Sequence, residues 1–246
     1  ILYRARAQPA AGEVVQALGI CGSDLHTLML QTSPMLSAFT SFPFVLGHEN
    51  VGTIDEVGSA VTDLALGERI VAEPLAGCAA RGLEPCEYCA RGEIALCRNL
   101  NEGRLKPGFG LGNCADTGGS WGEYFVAHRS QVYRVPASVS DKAAVLAEPL
   151  SVAIHAAQRG IPADNQVVLV IGAGVIGQCL IATLRASGCQ APIIVLARYP
   201  FQVDGFHAAS VQLVDFPVAD DLHLGDPGAQ QLGLQVGQRL VLAVHQ

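Results

Sequence analysis

The chain has 246 residues, half of them hydrophobic, with 15 Lys and Arg against 22 Asp and Glu and a net charge of −7. That length suits one large domain or two ordinary ones. The cations are scattered rather than gathered into a stripe, which argues against a nucleic-acid partner, and "ILYRARAQPAAGE" has no apolar core of the length a secretory signal needs.

In chain order, residues 12–135 read as short β segments punctuated by Gly and Pro: "GEVVQALGI", "GHENVGTIDEVG", "GERIVAEPL", "GEYFVAH" and "QVYRVP". Short strands with frequent turns predict a barrel or sandwich rather than a parallel sheet. At 141–159, "DKAAVLAEPLSVAIHAAQR", the composition turns helical, with Asp141 as the expected cap and Pro149 as a break or kink. From Val167 to Leu184 no residue is charged, close to membrane-spanning length. Its glycines are spaced as a strand–turn–helix would space them, and the β-branched run precedes them, so a buried βα unit is the better reading. A second apolar strand, "APIIVLA", follows. Beyond Ala197, "HAASVQLVDF" and "GQRLVLAVHQ" each suit a strand, but a βαβ unit needs about 30 residues or more and a six-stranded fold needs several. The nucleotide region is therefore abbreviated, or parts of the natural chain are absent; the first residue is not Met.

Gly172, Gly174 and Gly177 form G-A-G-V-I-G directly after "VVLVI". The first permits a tight turn, the second lets backbone approach a pyrophosphate, and the third allows close helix–strand packing. Val175 and Ile176 would open the helix whose N-terminus receives the phosphate. An acidic residue about 20 positions on would hold a ribose hydroxyl. Ala197 and Arg198 stand there instead, which leaves room and a cation for a 2′-phosphate and favours NADP over NAD.

The eight cysteines are Cys21, Cys78, Cys86, Cys89, Cys97, Cys114, Cys179 and Cys189. A large Gly-rich chain with nucleotide-fold signals is expected inside cells, where thiols stay reduced, so the 78–97 cluster reads as metal-binding rather than disulfide-linked. Cys179 falls in the predicted helix and reads as core; Cys189 has no assignment. Earlier, "GICGSDLH" (19–26) and "GHENVG" (47–52) supply a thiolate at Cys21, an imidazole at His48 and a carboxylate at Glu49. Zinc accepts all three types, and a catalytic site keeps a position open.

Taken in order, "GICGSDLH", "LGHENVGTIDEVG", "GERI", "CEYCARGEIALC", "EPLSVAIHA" and "VLVIGAGVIG" resemble the zinc-dependent medium-chain dehydrogenases/reductases, the alcohol and polyol dehydrogenases, over roughly residues 12–198. The resemblance implies an α/β protein with a β-rich N-terminal part: a GroES-like catalytic domain (1–143), then a Rossmann-type region (144–200), with 201–246 unassigned. The active site would lie in the cleft between the two. Cys21 and His48 would ligate a catalytic zinc, with Glu49 a direct or exchangeable ligand. Glu148 stands at the family's third position, touching either the metal or its water. Ser23 would accept the alcohol proton, His26 would pass it towards solvent, and Asp24 would orient His48 through its second ring nitrogen.

In the family's structural-zinc lobe four cysteines are separated by two, two and seven residues, which would put the first at Leu83. Leucine cannot ligate zinc. Cys78 is the expected replacement, completing a set with Cys86, Cys89 and Cys97, because the entropy of a longer loop grows only logarithmically. The rival is a vacant lobe with three leftover thiols, and Cys114 is a weaker spare. The function implied is hydride transfer between an alcohol, polyol or sugar and NAD or NADP, by a cytoplasmic dimer or tetramer with no nucleic-acid or membrane partner. The alternative is a non-catalytic zinc- and nucleotide-binding remnant.

Overall fold

β-Branched and aromatic runs between glycines become the strands of an antiparallel sheet. The computed structural model describes residues 2–6, 18–31, 37–197, 202, 211–215 and 241–243. In the N-terminal part, β1 (Leu2–Arg6), β2 (Gly52–Glu56), β3 (Arg69–Ala72), β4 (Tyr124–His128) and β5 (Val132–Arg134) pair in the order β4-β1-β2-β3-β5. β2 to β5 fall within the expected segments. "GEVVQALGI" lies outside the described residues up to position 17 and has no regular structure over 18–20. β1 was not foreseen; it is held between β2 and β4 by antiparallel pairing on both edges, which requires no side-chain pattern.

The period of two decides which face is buried. Ile70 and Ala72 of β3, and Phe125 and Ala127 of β4, point inward to meet Ile54, Leu64, Leu111 and Val132. Side chains such as Phe125 and Ile70, both fully buried, contribute about 1.5–3 kcal/mol each.

Two described helices belong to this part, α1 (Gly22–Leu28) and α2 (Asp141–Ala144), and α3 (Ala147–Ala157) leads into the second part. Asp141 is not the cap. Ser140 is, its Oγ accepting from the Ala143 N–H at 3.3 Å, while the Asp141 carboxylate accepts from Arg69 Nε at 2.9 Å. Pro149 does not break its helix either. It sits in the first turn of α3, where a backbone N–H has no intrahelical partner to lose. The interruption falls earlier, between Ala144 and Ala147.

In the C-terminal part, β6 (Val168–Ile171), α4 (Val175–Ala186), β7 (Ile193–Ala197), β8 (Val211–Asp215) and β9 (Val241–Ala243) follow in turn. The strands form a parallel sheet in the order β8-β7-β6-β9. Counting from β6 this is 3-2-1-4, the opening of the dinucleotide-binding order. The uncharged run 167–184 is therefore strand, turn and helix, and among the described residues no helix is long and apolar enough to cross a membrane. Val168, Val170, Ile193 and Val195 pack with Leu180, Leu184, Ala153 and Ala157. On the sheet's opposite face Leu169, Ile194 and Leu196 remain half-exposed and Ile171 exposed, although a parallel sheet ordinarily buries both faces. Among the described residues the Rossmann-type domain is incomplete, with four strands in its sheet. By internal contact the chain divides into two compact units, Ile1–Glu148 and Pro149–Gln246.

Candidate metal centres and dinucleotide turn

Two segments far apart in sequence bring the first ligand set together. Cys21 immediately precedes α1 with an extended backbone, and His48 and Glu49 lie on the stretch that leads into β2. One ligand atom from each of Cys21, His48 and Glu49 lies within 4.8 Å of the others. The donors, one soft sulfur, one imidazole and one carboxylate, form a set that zinc accepts, and their spacing fits a shared ion. His48 and, to a smaller degree, Ser23 hydrogen-bond to the Cys21 thiol and draw its pKa below the ordinary thiol value. His48 is pushed up to about 10, first by Asp24 and then by Cys21. Burial raises Glu49.

Asp24 builds this geometry. Its carboxylate is 3% exposed. Oδ2 accepts from the Cys21 N–H at 3.1 Å, Oδ1 accepts from the Gly47 N–H at 3.2 Å, and Oδ1 also lies 3.4 Å from His48 Nδ1. One side chain thus ties the Cys21 segment to the His48 segment and orients the imidazole.

Sequence reasoning missed three further supports. A Cβ on Gly19 would stand 1.6 Å from Glu49 Oε2, so only glycine leaves space for that carboxylate. Trp121 Nε1 donates to the Gly19 carbonyl at 3.3 Å. Asn50 Nδ2 donates to the carbonyls of Ala72 (2.8 Å) and His48 (3.0 Å), and its Oδ1 accepts from the Ala72 N–H at 2.7 Å, pinning the ligand segment to the end of β3. The signal for Gly19 was its place in "GICGSDLH"; Trp121 and Asn50 carried none.

The remaining expected residues are placed less closely. Glu148, in the first turn of α3, stands outside the Cys21–His48–Glu49 set. Burial raises its pKa, and His48, Glu49, Glu73 and Asp24 all act on it electrostatically, so it belongs to the same neighbourhood. Ser23 hydrogen-bonds to Cys21, and His26 lies exposed in the last turn of α1. The two are three residues apart, on one helical face.

The second set is the thiol lobe. All eight cysteines are free of disulfides. Sγ atoms of Cys78, Cys86, Cys89 and Cys97 all lie within 4.8 Å of one another. Cys78 and Cys97 are 3.7 Å apart, and a tetrahedron with Zn–S bonds of about 2.3 Å has an edge of about 3.8 Å, so the residues fit the ion. Leu83 packs against the cluster as an apolar neighbour. Backbone N–H groups of Cys89 and Arg98 hold Cys86 down at about 6, whereas burial pushes Cys89 up to about 12.

Arg81 anchors the loop that the displaced first thiol creates. It is fully buried. Its guanidinium donates to the carbonyls of Ala76 (3.0 Å), Glu102 (3.1 Å), Leu105 (3.2 Å) and Lys106 (3.3 Å), and also to that of Gly108. Cys114 is buried with Ala76, Ala80 and Leu105 instead of joining the thiols. Cys179 packs from the buried face of α4 into the core, and the buried Cys189 thiol lies 3.8 Å from the Pro162 carbonyl.

The glycine turn joins β6 to α4. Gly172 has φ +105°, a left-handed conformation that favours glycine. A Cβ on Gly177 would meet the Gly172 carbonyl oxygen at 2.1 Å, so the third glycine brings the helix onto the turn. Gly174 is the N-cap. The first helical bond within α4 is donated by Gln178 N–H to the Gly174 carbonyl, so the helix N-terminus at Val175, Ile176 and Gly177 offers its N–H groups to an anion. Arg198 lies outside the described residues.

Residues 14–137 match the alcohol dehydrogenase GroES-like domain family. L-idonate 5-dehydrogenase of Vitis vinifera is 35% identical over 182 residues, covering 74% of this chain and 45% of the relative. D-xylulose reductase A of Aspergillus oryzae (strain ATCC 42149 / RIB 40) is 34% identical over 181 residues, covering 74% and 46%. Among solved structures, a short chain alcohol dehydrogenase (rspB) of E. coli CFT073, complexed with NADH, superposes with a TM-score of 0.73 at 26% identity, covering 100% of this chain and 62% of that one. The chain spans about half the length of the curated relatives it matches. The chain therefore belongs to the zinc-dependent medium-chain dehydrogenase/reductase superfamily, as a GroES-like domain followed by an incomplete Rossmann-type domain.

Proposed function

We propose that this protein is a zinc- and NAD(P)-dependent oxidoreductase that moves a hydride between a polyol or sugar alcohol and the nicotinamide. The convergence of Cys21, His48 and Glu49 within 4.8 Å carries the reading; the dehydrogenase and reductase relatives support the substrate class. Bound zinc would lower the pKa of an alcohol hydroxyl towards neutrality, and the nicotinamide would take up the hydride.

The chain's own residues do the rest. Cys21, His48 and Glu49 would hold the metal, with Glu148 as a further ligand or a carboxylate beside it. Asp24 fixes the His48 ring. Ser23 accepts the hydroxyl proton and His26, on the same face of α1, delivers it to solvent. Val175, Ile176 and Gly177 present backbone N–H groups to the pyrophosphate behind the turn formed by Gly172 and Gly174. The neutral Ala197 followed by Arg198 favours the 2′-phosphate of NADP. Cys78, Cys86, Cys89 and Cys97 hold a second, structural zinc. The protein acts in the cytoplasm as a dimer or tetramer.

The test follows reduced nicotinamide by absorbance with a panel of polyols and sugars and both cofactors. Turnover should vanish on chelation, return with Zn²⁺, and fall to background in Cys21→Ser with the fold preserved. Full activity in Cys21→Ser would refute the metal site. Cofactor binding with no turnover across the panel would favour the non-catalytic remnant.

A further inference from the structure

We propose that Asn99 is a positioning residue of the thiol centre, clamping one edge of the sulfur tetrahedron and drawing charge from the sulfur of Cys78. The inference rests on the reading of the four thiols as a metal site. A divalent ion held by four thiolates carries a net charge of −2, and burying that charge requires hydrogen-bond donors directed at the sulfurs.

Backbone N–H groups serve several of the sulfurs, but one residue offers both a side-chain and a backbone donor. Asn99 Nδ2 donates to Cys78 Sγ at 3.3 Å, and the Asn99 backbone N–H donates to Cys97 Sγ at 3.4 Å. Those two sulfurs are 3.7 Å apart, so a single residue spans both ends of one edge. Cys86 N–H adds a second donor to Cys78 at 3.4 Å. Cys78 is fully buried, and it is the ligand that stands five residues ahead of Leu83, where the first thiol was expected. The side-chain amide of Asn99 compensates that displacement: the longer loop returns the sulfur, Arg81 holds the loop by its carbonyls, and Asn99 fixes where the sulfur points. An amide also withdraws electron density from a thiolate and slows its attack by protons and chelators.

The experiment uses Co²⁺ as the probe in the full chain, in a Cys21→Ser background so that only the lobe contributes sulfur-to-metal absorption. Asn99→Leu keeps the bulk and removes the side-chain donor to Cys78, while its backbone N–H still reaches Cys97. Its charge-transfer bands should move to lower energy, and Co²⁺ should pass to a competing chelator about 10-fold faster or more. The metal-free melting temperatures of parent and variant should coincide, which a merely structural role would not produce. Asn99→Asp, which replaces the donor by an acceptor, should release the ion faster still, and it serves if Asn99→Leu fails to fold. Unchanged bands and release in a folded variant would overturn the role of Asn99 alone. A parent chain that takes up Co²⁺ without thiolate charge-transfer bands would overturn the metal reading, and this inference with it.

Discussion

Asp24 shows how much one side chain decides. Its two oxygens accept from the Cys21 and Gly47 backbones and face His48 Nδ1, so the residue that shapes the first turn of α1 also sets the ligand geometry. Turn former and orienting carboxylate are the same role here. Asp24→Asn retains the shape but loses the charge that holds His48, and it should lower zinc affinity and activity by about 10- to 100-fold. Metal titration beside turnover would check this. An unchanged metal affinity would count against the orienting role. The residue types at the centre were legible in "GICGSDLH" and "GHENVG", because thiolate, imidazole and carboxylate chemistry is written in the side chains. Gly19 and Asn50 were not legible in the same way. Gly19 matters through the space Glu49 occupies, and Asn50 through a backbone 22 residues away.

At the scale of elements, the strand–turn–helix from β6 to α4 is the most local piece of the fold. Its glycines act within a few residues of one another, so the reading from sequence and the structure agree there. Gly177→Ala tests the third glycine. Its Cβ would lie 2.1 Å from a backbone carbonyl, which cannot swing aside as a side chain could. The variant should lose about 1–3 kcal/mol of stability, with weaker NAD(P) binding; urea denaturation and cofactor titration would read both. Where an element depended on its surroundings, the local reading failed. β1 is a strand because two neighbours pair with it. Pro149 was expected to disrupt a helix that in fact begins just before it.

Across the whole molecule, the thiol lobe occupies the long connection between β3 and β4, whose buried residues form two small clusters. A metal held by the four thiols would add to those clusters as a cross-link. Cys89→Ser, or removal of the metal by chelation, should therefore lower the melting temperature by several degrees, on the order of 4 °C for each kcal/mol lost. Cys21→Ser should leave it nearly unchanged while abolishing turnover. Calorimetry alongside the absorbance assay would separate the two centres, and equal destabilisation by both substitutions would contradict the division of roles. From its own order of residues the chain determined its family, its candidate ligand types, its glycine turn and the alternation that buries one face of β3, β4 and β7, because the motifs and the period of two are each carried by neighbours in sequence. Cys78 was already the expected replacement for the thiol missing at Leu83; only the tertiary structure brought its sulfur to the other three, set Arg81 and Asn99 around it, and made Asp24 join two segments. Those outcomes depend on distances between residues far apart in the chain, and such distances exist only once the core has packed.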